Sequence, residues 1–334
     1  MALSKITNAS VADTAVHGRR NLIINGAMQV AQRGDITGAS GEYTLDRYRF
    51  NKTNIDNLVV DVTQDTDTPD GFSNSMKVDV TTAESAIASD ERCSIEQRIE
   101  AQNLQHLQYG TSGAKTLTLS FWVKSSVAGK YGINIRHHDA NVNKGLDYTI
   151  STADTWEYKQ ISFTGYTTTN FNNDTGIGLW LRWMLIVGTD YQNTAVEGAW
   201  SGTTTYYTTT GMQSTWGTNA SHNFWLTGVQ LEVGDTATPF EHRSFGEELA
   251  LCQRYYWDTK GYSGLQSDEI SDVIYFPVTM RATPSTTHNV YETNGGFTAL
   301  TGVDGSTTHM GWWVSNSAAN KYIRFTMTLS AELT

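Results

Sequence analysis

Apolar residues recur at every second position along several stretches of this chain, the spacing at which side chains of an extended strand share one face. Between residues 117 and 124, Leu117, Leu119, Phe121 and Val123 alternate with Thr118, Ser120, Trp122 and Lys124. Residues 176–187 repeat the pattern, with Ile177, Leu179, Leu181, Trp183, Leu185 and Val187 on one face and Trp180, Arg182 and Met184 opposite. In 224–233, Trp225, Val229, Leu231 and Val233 alternate with Gly228, Gln230 and Glu232. Shorter runs at 58–62, 76–80, 131–136 and 156–163 are separated by turn residues such as Asp70-Gly71. One side of each strand is core and the other wet. Many such strands with short turns and almost no helix predict an antiparallel jelly-roll sandwich.

One stretch departs from this texture. In 238–256, TPFEHRSFGEELALCQRYY, Ser244 and Glu247 fit a capping box. Beyond the cap, Phe245, Leu249, Cys252 and Tyr256 fall at i, i+4, i+7 and i+11, flanked by Leu251 and Tyr255. This spacing predicts a short amphipathic connecting helix over 244–257, whose stripe is buried against a neighbouring domain or against copies of itself. The helix divides a sandwich over 21–243 from a smaller C-terminal β domain over 258–334, with strands at 273–279, 309–314 and 322–329. In the last of these, Ile323, Phe325, Met327 and Leu329 share a face. A domain this small is often stabilised by association, so a homo-oligomeric contact is expected there. Residues 1–20 are polar and without periodicity, and read either as a disordered terminus or as an arm that orders on a partner.

A length of 334 residues fits two domains. The net charge of −11 argues against nucleic acid and against an anionic membrane surface as partners. Cys93, in the alternating run CSIEQRI, and Cys252, on the helix stripe, are the two cysteines. They are expected as buried free thiols in a protein made in a reducing cytoplasm. The opening MALSKITNAS lacks the apolar core of a signal peptide, and no apolar run is long enough to cross a membrane as a helix.

Candidate chemistry is sparse. His137-His138-Asp139 would place its two imidazoles on opposite faces of a strand, so an exposed loop is expected rather than a metal pair. Asp65, Asp67, Asp70 and Gly71 suggest a calcium loop, but Met76 stands where the closing glutamate should fall, and a solvated turn is expected. Glu247 and Glu248 diverge on a helix. The GxSxG, GxxxxGK[ST], HExxH and CxxC motifs are all missing, so neither an enzyme nor a cofactor nor a metal is expected. What remains are outward aromatics. Trp122 and Trp180 lie on the polar phase of their strands, with Arg182 beside the latter and Asn134 and Arg136 on the corresponding phase of another. Flat rings stack on the apolar faces of sugars while Arg and Asn bond the hydroxyls, so these five residues describe a glycan groove. The competing expectation is that the Thr- and Gly-rich loop at 189–221, or a neighbouring subunit, covers them.

NLIINGAMQVAQRG with YTLDRYRF, LTLSFWVKSS, FWLTGVQLEVGDTATPFEHRSFGEELALCQRYY and FPVTMRATPS together resemble a family of bacteriophage and prophage virion proteins described as tail-fibre or appendage proteins. The likeness runs from Asn21 to Pro284. The sandwich also resembles the jelly roll of carbohydrate-binding modules, which open with a turn like Asn25-Gly26 and close with a run like FWLTGVQLEV. Those modules carry calcium-holding acidic residues in the closing strand, where this sequence has Thr227 and Gly228, so a structural calcium is not carried over. The family likeness implies a homotrimeric appendage, attached to other virion proteins through residues 1–20, located on the virion and facing host surface polysaccharide. The alternative is a head, neck or tail decoration protein with a purely structural role.

Overall fold

Among the described residues, ten strands lie between Arg49 and Val233: β1 (Arg49–Thr53), β2 (Val59–Asp65), β3 (Ser75–Thr82), β4 (Arg92–Glu100), β5 (Leu117–Ser125), β6 (Gly129–His137), β7 (Val142–Ile150), β8 (Glu157–Phe163), β9 (Ile177–Val187) and β10 (Asn223–Val233). They form two five-stranded sheets, ordered β1-β4-β9-β6-β7 and β2-β3-β10-β5-β8. Every pairing within them is antiparallel. The inward residues of both sheets meet in an aromatic core. Phe121 of β5 packs edge-on against Trp183 of β9 and Tyr148 of β7, with centroids 6.0 and 5.1 Å apart, and Tyr131 of β6 meets Phe224 of β10 at 5.8 Å. This is the antiparallel jelly-roll sandwich that the alternation predicts.

The computed structural model describes residues 19–202, 207–264, 269–293, 302–315 and 322–333. They fall into two units, Met1–Gln29 with Gly34–His242, and Val30–Arg33 with Arg243–Thr334. Residues 1–18 of the expected N-terminal arm lie outside the described residues. Arg20, at its end, is tied into the first unit. Its backbone N–H donates to Glu241, its Nη2 donates to the Pro239 carbonyl, and its Nε lies 3.4 Å from the buried Glu232 carboxylate.

β10 departs from the simple alternation. Its register against β5 shifts between Thr227 and Gln230, and Gly228 sits there at φ 61°, a conformation that favours glycine. The bulge flips the phase. Phe224 and Leu226 face the core beside Val229 and Leu231, whereas Trp225, expected with that apolar set, faces outward opposite Lys124.

In the second unit, α1 (Phe245–Gln253) carries the predicted capping box. The Ser244 side chain accepts from the Glu247 N–H and the Glu247 carboxylate accepts from the Ser244 N–H. The helix ends earlier than the spacing predicts, because Tyr256 begins β11 (Tyr256–Gly264). β12 (Glu269–Tyr275), β13 (Ser285–Thr293), β14 (Gly302–Gly305), β15 (His309–Ser315) and β16 (Tyr322–Ser330) follow, in two three-stranded antiparallel sheets ordered β11-β16-β13 and β12-β15-β14. Met280, Met310, Trp312, Phe325, Met327 and Leu329 form the core. Arg33 from the early segment pairs with Glu332 at 2.9 Å and lies 3.6 Å over the Tyr256 ring, and Gln32 donates to the Tyr256 carbonyl.

Candidate functional site

Opposite residues of an antiparallel pair share a face. By register, Arg98, Trp180, Arg136 and Asn143 therefore lie in one row across the outer face of the first sheet, with Glu96, Arg182, Asn134 and Gly145 in the next. Four of the five expected glycan residues meet here, and three of them, Trp180, Arg182 and Asn134, are committed to one another. The Arg182 guanidinium stacks 3.5 Å over the Trp180 ring and Arg98 lies 4.0 Å over the same ring. Arg182 donates to Asn134 Oδ1, and Glu96 is the shared counter-ion, 3.4 Å from Arg182 and 3.8 Å from Arg98. Burial lowers the Arg182 pKa to about 10, against the pull of Glu96. Arg136 turns aside to donate to Asn141.

The segment from 189 to 221 covers much of this face. Asn134 Nδ2 donates to the Tyr207 carbonyl, the Tyr207 ring lies 5.0 Å from the Arg182 guanidinium, and Arg92 stacks on both Tyr191 and Tyr207. A Cβ on Gly132 would come within 2.3 Å of the Thr208 methyl, and one on Gly145 within 2.8 Å of Val196. The segment and the sheet fit because both positions are glycine. Trp180 itself is half-buried with Arg98 and Arg182 on its ring, while the segment lies over the neighbouring rows at Asn134, Gly132 and Gly145.

Trp122 lies on the other sheet. It faces an open groove of about 500 Å³, lined by Asp70, Phe72, Ser120, Tyr158, Gly228, Thr238, Pro239, Phe240 and His242, within the size range of small-molecule sites. Trp122 and Tyr158 are a cross-strand pair with rings 5.5 Å apart, and Tyr158 is 45% exposed. Phe72 packs edge-on against Phe240 at 5.0 Å and lies 5.4 Å from His242. Gly228 shapes the floor. A Cβ there would sit 2.7 Å from Phe72 and 3.0 Å from Trp122, so the bulge makes the space in which these rings converge.

Beside the groove, Lys124 lies 4.0 Å over the Trp225 ring and is bonded to the Asp67 carboxylate, which also accepts from the Trp156 indole. The hydrogen bond from Lys124 holds the Asp67 carboxyl below its ordinary value. Asp65 is held low as well: partial burial opposes ionisation, but the Trp225 indole N–H and backbone N–H groups outweigh it. The solvated turn expected here is present, with Asp67, Asp70 and Gly71 exposed, and its carboxylates also anchor two tryptophans. Among the described residues no cluster of His, Cys, Asp and Glu is placed to hold a metal.

His137 also differs from expectation. It is fully buried, its ring tilted against Phe171 with centroids 4.2 Å apart and its Nε2 bonded to the Thr169 carbonyl, while His138 is exposed. Burial lowers the His137 pKa. On α1 the predicted stripe is uneven. Cys252 is buried, Leu249 and Tyr256 are half-buried, and Phe245 at the first helical position is 57% exposed. Glu248 pairs with Arg243 at 3.3 Å, while Glu247 serves the cap. Both cysteines are buried free thiols, and burial raises the Cys93 pKa far above its ordinary value.

Sequence reasoning missed Phe72, Tyr158, Phe240, His242 and Gly228. Two signals were present: a lone glycine within a strand pattern, which marks a bulge, and Tyr158 on the polar phase of its run.

The sequence matches no protein-family description and no curated protein. Among solved structures it is similar to the enzymatically active domain of bacteriophage CBA120 tailspike protein 4, at 12% identity and TM-score 0.35. That alignment covers 64% of this chain and 21% of the tailspike chain, so this chain spans about a fifth of its length. It is also similar to a CBM4 module (11% identity, TM-score 0.32, 63% of this chain and 98% of that one). A third is the CBM22-1 xylan-binding domain of Paenibacillus barcinonensis Xyn10C (10%, TM-score 0.30, 65% and 96%).

Proposed function

We propose that the protein is a non-enzymatic phage virion component, a tail-fibre or appendage subunit, that binds host surface glycan in the groove at Trp122. The observation that carries the binding is the groove itself. Trp122, Tyr158, Phe72 and Phe240 present ring surface, and Asp70, Ser120 and His242 supply polar groups at its margin. Such a surface grips the apolar face of a sugar and bonds its hydroxyls. Its lining carries one carboxylate, Asp70, rather than the pair that most glycoside hydrolases place across the bond they cut. The virion assignment draws on the family likeness of the 238–256 stretch. In this reading the protein is made in the host cytoplasm, assembles as a homotrimer and attaches to other virion proteins through residues 1–20. Three weak sites then act together on a repeating polysaccharide.

A glycan array with the full-length oligomer tests the binding. Wild type should retain one class of bacterial surface glycan and Trp122→Ala should not; a blank array for wild type ends the proposal. A second reading, a structural head, neck or tail decoration protein, is favoured by the Trp180 face, whose rings are filled by the protein's own side chains. Cryo-electron microscopy of the particle separates the two, since a position on the capsid lattice would sink receptor binding.

A further inference from the structure

Gln230 and Glu232 lie on the outward phase of β10, yet both are fully buried. The cover is the chain's own continuation. Beyond Val233 it turns back, and Glu232 accepts from the Thr238 backbone N–H at 2.8 Å and from the Thr238 hydroxyl at 2.6 Å. Gln230 donates to Glu232 at 2.8 Å and to the Thr238 carbonyl at 3.2 Å, and its side-chain oxygen accepts from the Glu241 N–H at 2.8 Å. A buried carboxylate and a buried amide are costly without their partners, so this strap, 238–242, is held in one position. Pro239 reinforces it by biasing Thr238 toward extended backbone. Thr238, Pro239, Phe240 and His242 of the strap line the Trp122 groove, where Phe240 meets Phe72 at the rim.

The strap is also held from the N-terminal side. The Arg20 and Asn21 backbone N–H groups donate to the two oxygens of the Glu241 carboxylate, at 3.1 and 2.7 Å. Arg20 Nη2 donates to the Pro239 carbonyl, and Arg20 Nε lies 3.4 Å from Glu232. The same short segment holds the floor. Asn21 donates through Nδ2 to the Val229 carbonyl and accepts through Oδ1 from the Leu231 N–H, both at 3.0 Å, and the Gly26 carbonyl accepts from the Val229 N–H at 2.9 Å. Val229 directly follows Gly228 of the bulge. Residues 20–26 thus reach the groove from two directions, its wall at 239 and 241 and its floor beside the bulge. Asn21 is 1% exposed, whereas the Arg20 side chain is 30% exposed, so the floor contact is sealed and the wall contact reaches the surface.

We propose that Arg20 is the positioning residue of the Trp122 groove, so that ligand affinity there is set from the point where the N-terminal arm joins the sandwich. This rests on the reading of that groove as the glycan site. A ligand between Trp122 and Phe240 needs the strap at a fixed height, and Arg20 holds the strap by the Pro239 carbonyl and, through its backbone N–H, by Glu241. Attachment through the arm and binding in the groove therefore share one residue. A partner that draws Arg20 away from Pro239 loosens the wall, and a ligand that fixes the wall holds Arg20 in place by the same coupling free energy.

The test uses full-length protein labelled with fluorotryptophan and read by fluorine NMR, with the Trp122 and Trp180 signals assigned by their loss in Trp122→Phe and Trp180→Phe. Arg20→Ala should shift or broaden the Trp122 signal and leave the Trp180 signal where it is, with the melting curve checking that the sandwich stays folded. Glu241→Gln leaves Arg20 in place but only one acceptor for the two backbone N–H groups, and should move the Trp122 signal by less. On the glycan array, Arg20→Ala should lose about tenfold of the wild-type signal although Arg20 is not among the groove's lining residues. The proposal is overturned if neither variant moves the Trp122 signal, or if the Trp122 and Trp180 signals move alike, which would mean a general loosening of the sandwich. It is also overturned if the array signal of Arg20→Ala equals that of wild type. A blank array for wild type ends the glycan reading alone, because the fluorine signals, recorded without ligand, still decide whether Arg20 positions the groove.

Discussion

Trp180 on β9 and Trp122 on β5 hold matching places, each on an interior strand of a five-stranded sheet and each on the phase that points away from the core. Around Trp180, two arginines stack on the ring and the segment from 189 onwards lies across the neighbouring rows. Around Trp122, distant segments bring Phe72 and Phe240 to the rim, and the bulge at Gly228 leaves a hollow between them. Strand position alone therefore does not decide what surrounds an outward aromatic. The difference lies in whether segments remote in sequence fill the space above the ring or wall it in.

The contrast can be broken most forcefully from the closed side. Glu96 is the buried counter-ion of both Arg98 and Arg182, so Glu96→Ala should destabilise the sandwich by roughly 3–5 kcal/mol in urea unfolding. A loss below about 1 kcal/mol would mean that the arginine stack holds without its counter-ion. On the open side, Gly228→Ala puts a Cβ into Phe72 and Trp122 at positive φ. It should cost about 1–3 kcal/mol and close the groove, removing glycan binding while the arginine stack stays intact.

Trp122→Ala should weaken glycan binding by at least tenfold, about 1.4 kcal/mol, in isothermal titration. Trp180→Ala should change it by less than about twofold, with its cost read in stability instead. Equal losses in binding from the two would erase the distinction between the faces.

A pH titration of stability sharpens the comparison further. His137 is buried neutral with a folded pKa below its unfolded value, so the unfolded state takes up the proton first. Stability from this source is complete above about pH 6.5 and falls as pH drops below it, by at most about 1.4 kcal/mol per pH unit. The Asp67–Lys124 pair beside the open groove behaves differently. The depressed Asp67 pKa keeps its contribution until pH falls below about 4. His137→Phe should flatten the first transition and leave the second. The smallest change should come from Asp67→Asn, under about 1 kcal/mol, because that carboxylate is largely exposed.

The sandwich was legible because β5 and β9 alternate cleanly and their apolar phase does face the core. β7 was not legible: Asn143 and Lys144 are polar yet buried, and alternation gives no sign of that. Trp225 was placed on the wrong face for a local reason, one extra residue at Gly228, which resets the phase of everything before it. Of the glycan candidates, the outward direction of Trp122 and Trp180 could be read, but their surroundings could not. Phe72 and Phe240 are far from Trp122 in sequence, and no periodicity encodes what a distant turn will lay beside a strand.

The four residues Val30–Arg33 have a consequence for how the protein can be made and divided. Arg33 pairs with Glu332, 299 positions later. The second unit therefore cannot be completed until Glu332 has been translated, and the early segment must wait while the sandwich residues emerge. Replacing residues 243–334 with the corresponding part of another protein would bring in a unit lacking its own first piece. An exchange at this boundary succeeds only if the incoming unit accepts Gln32 and Arg33 as they stand, or if 30–33 travels with it.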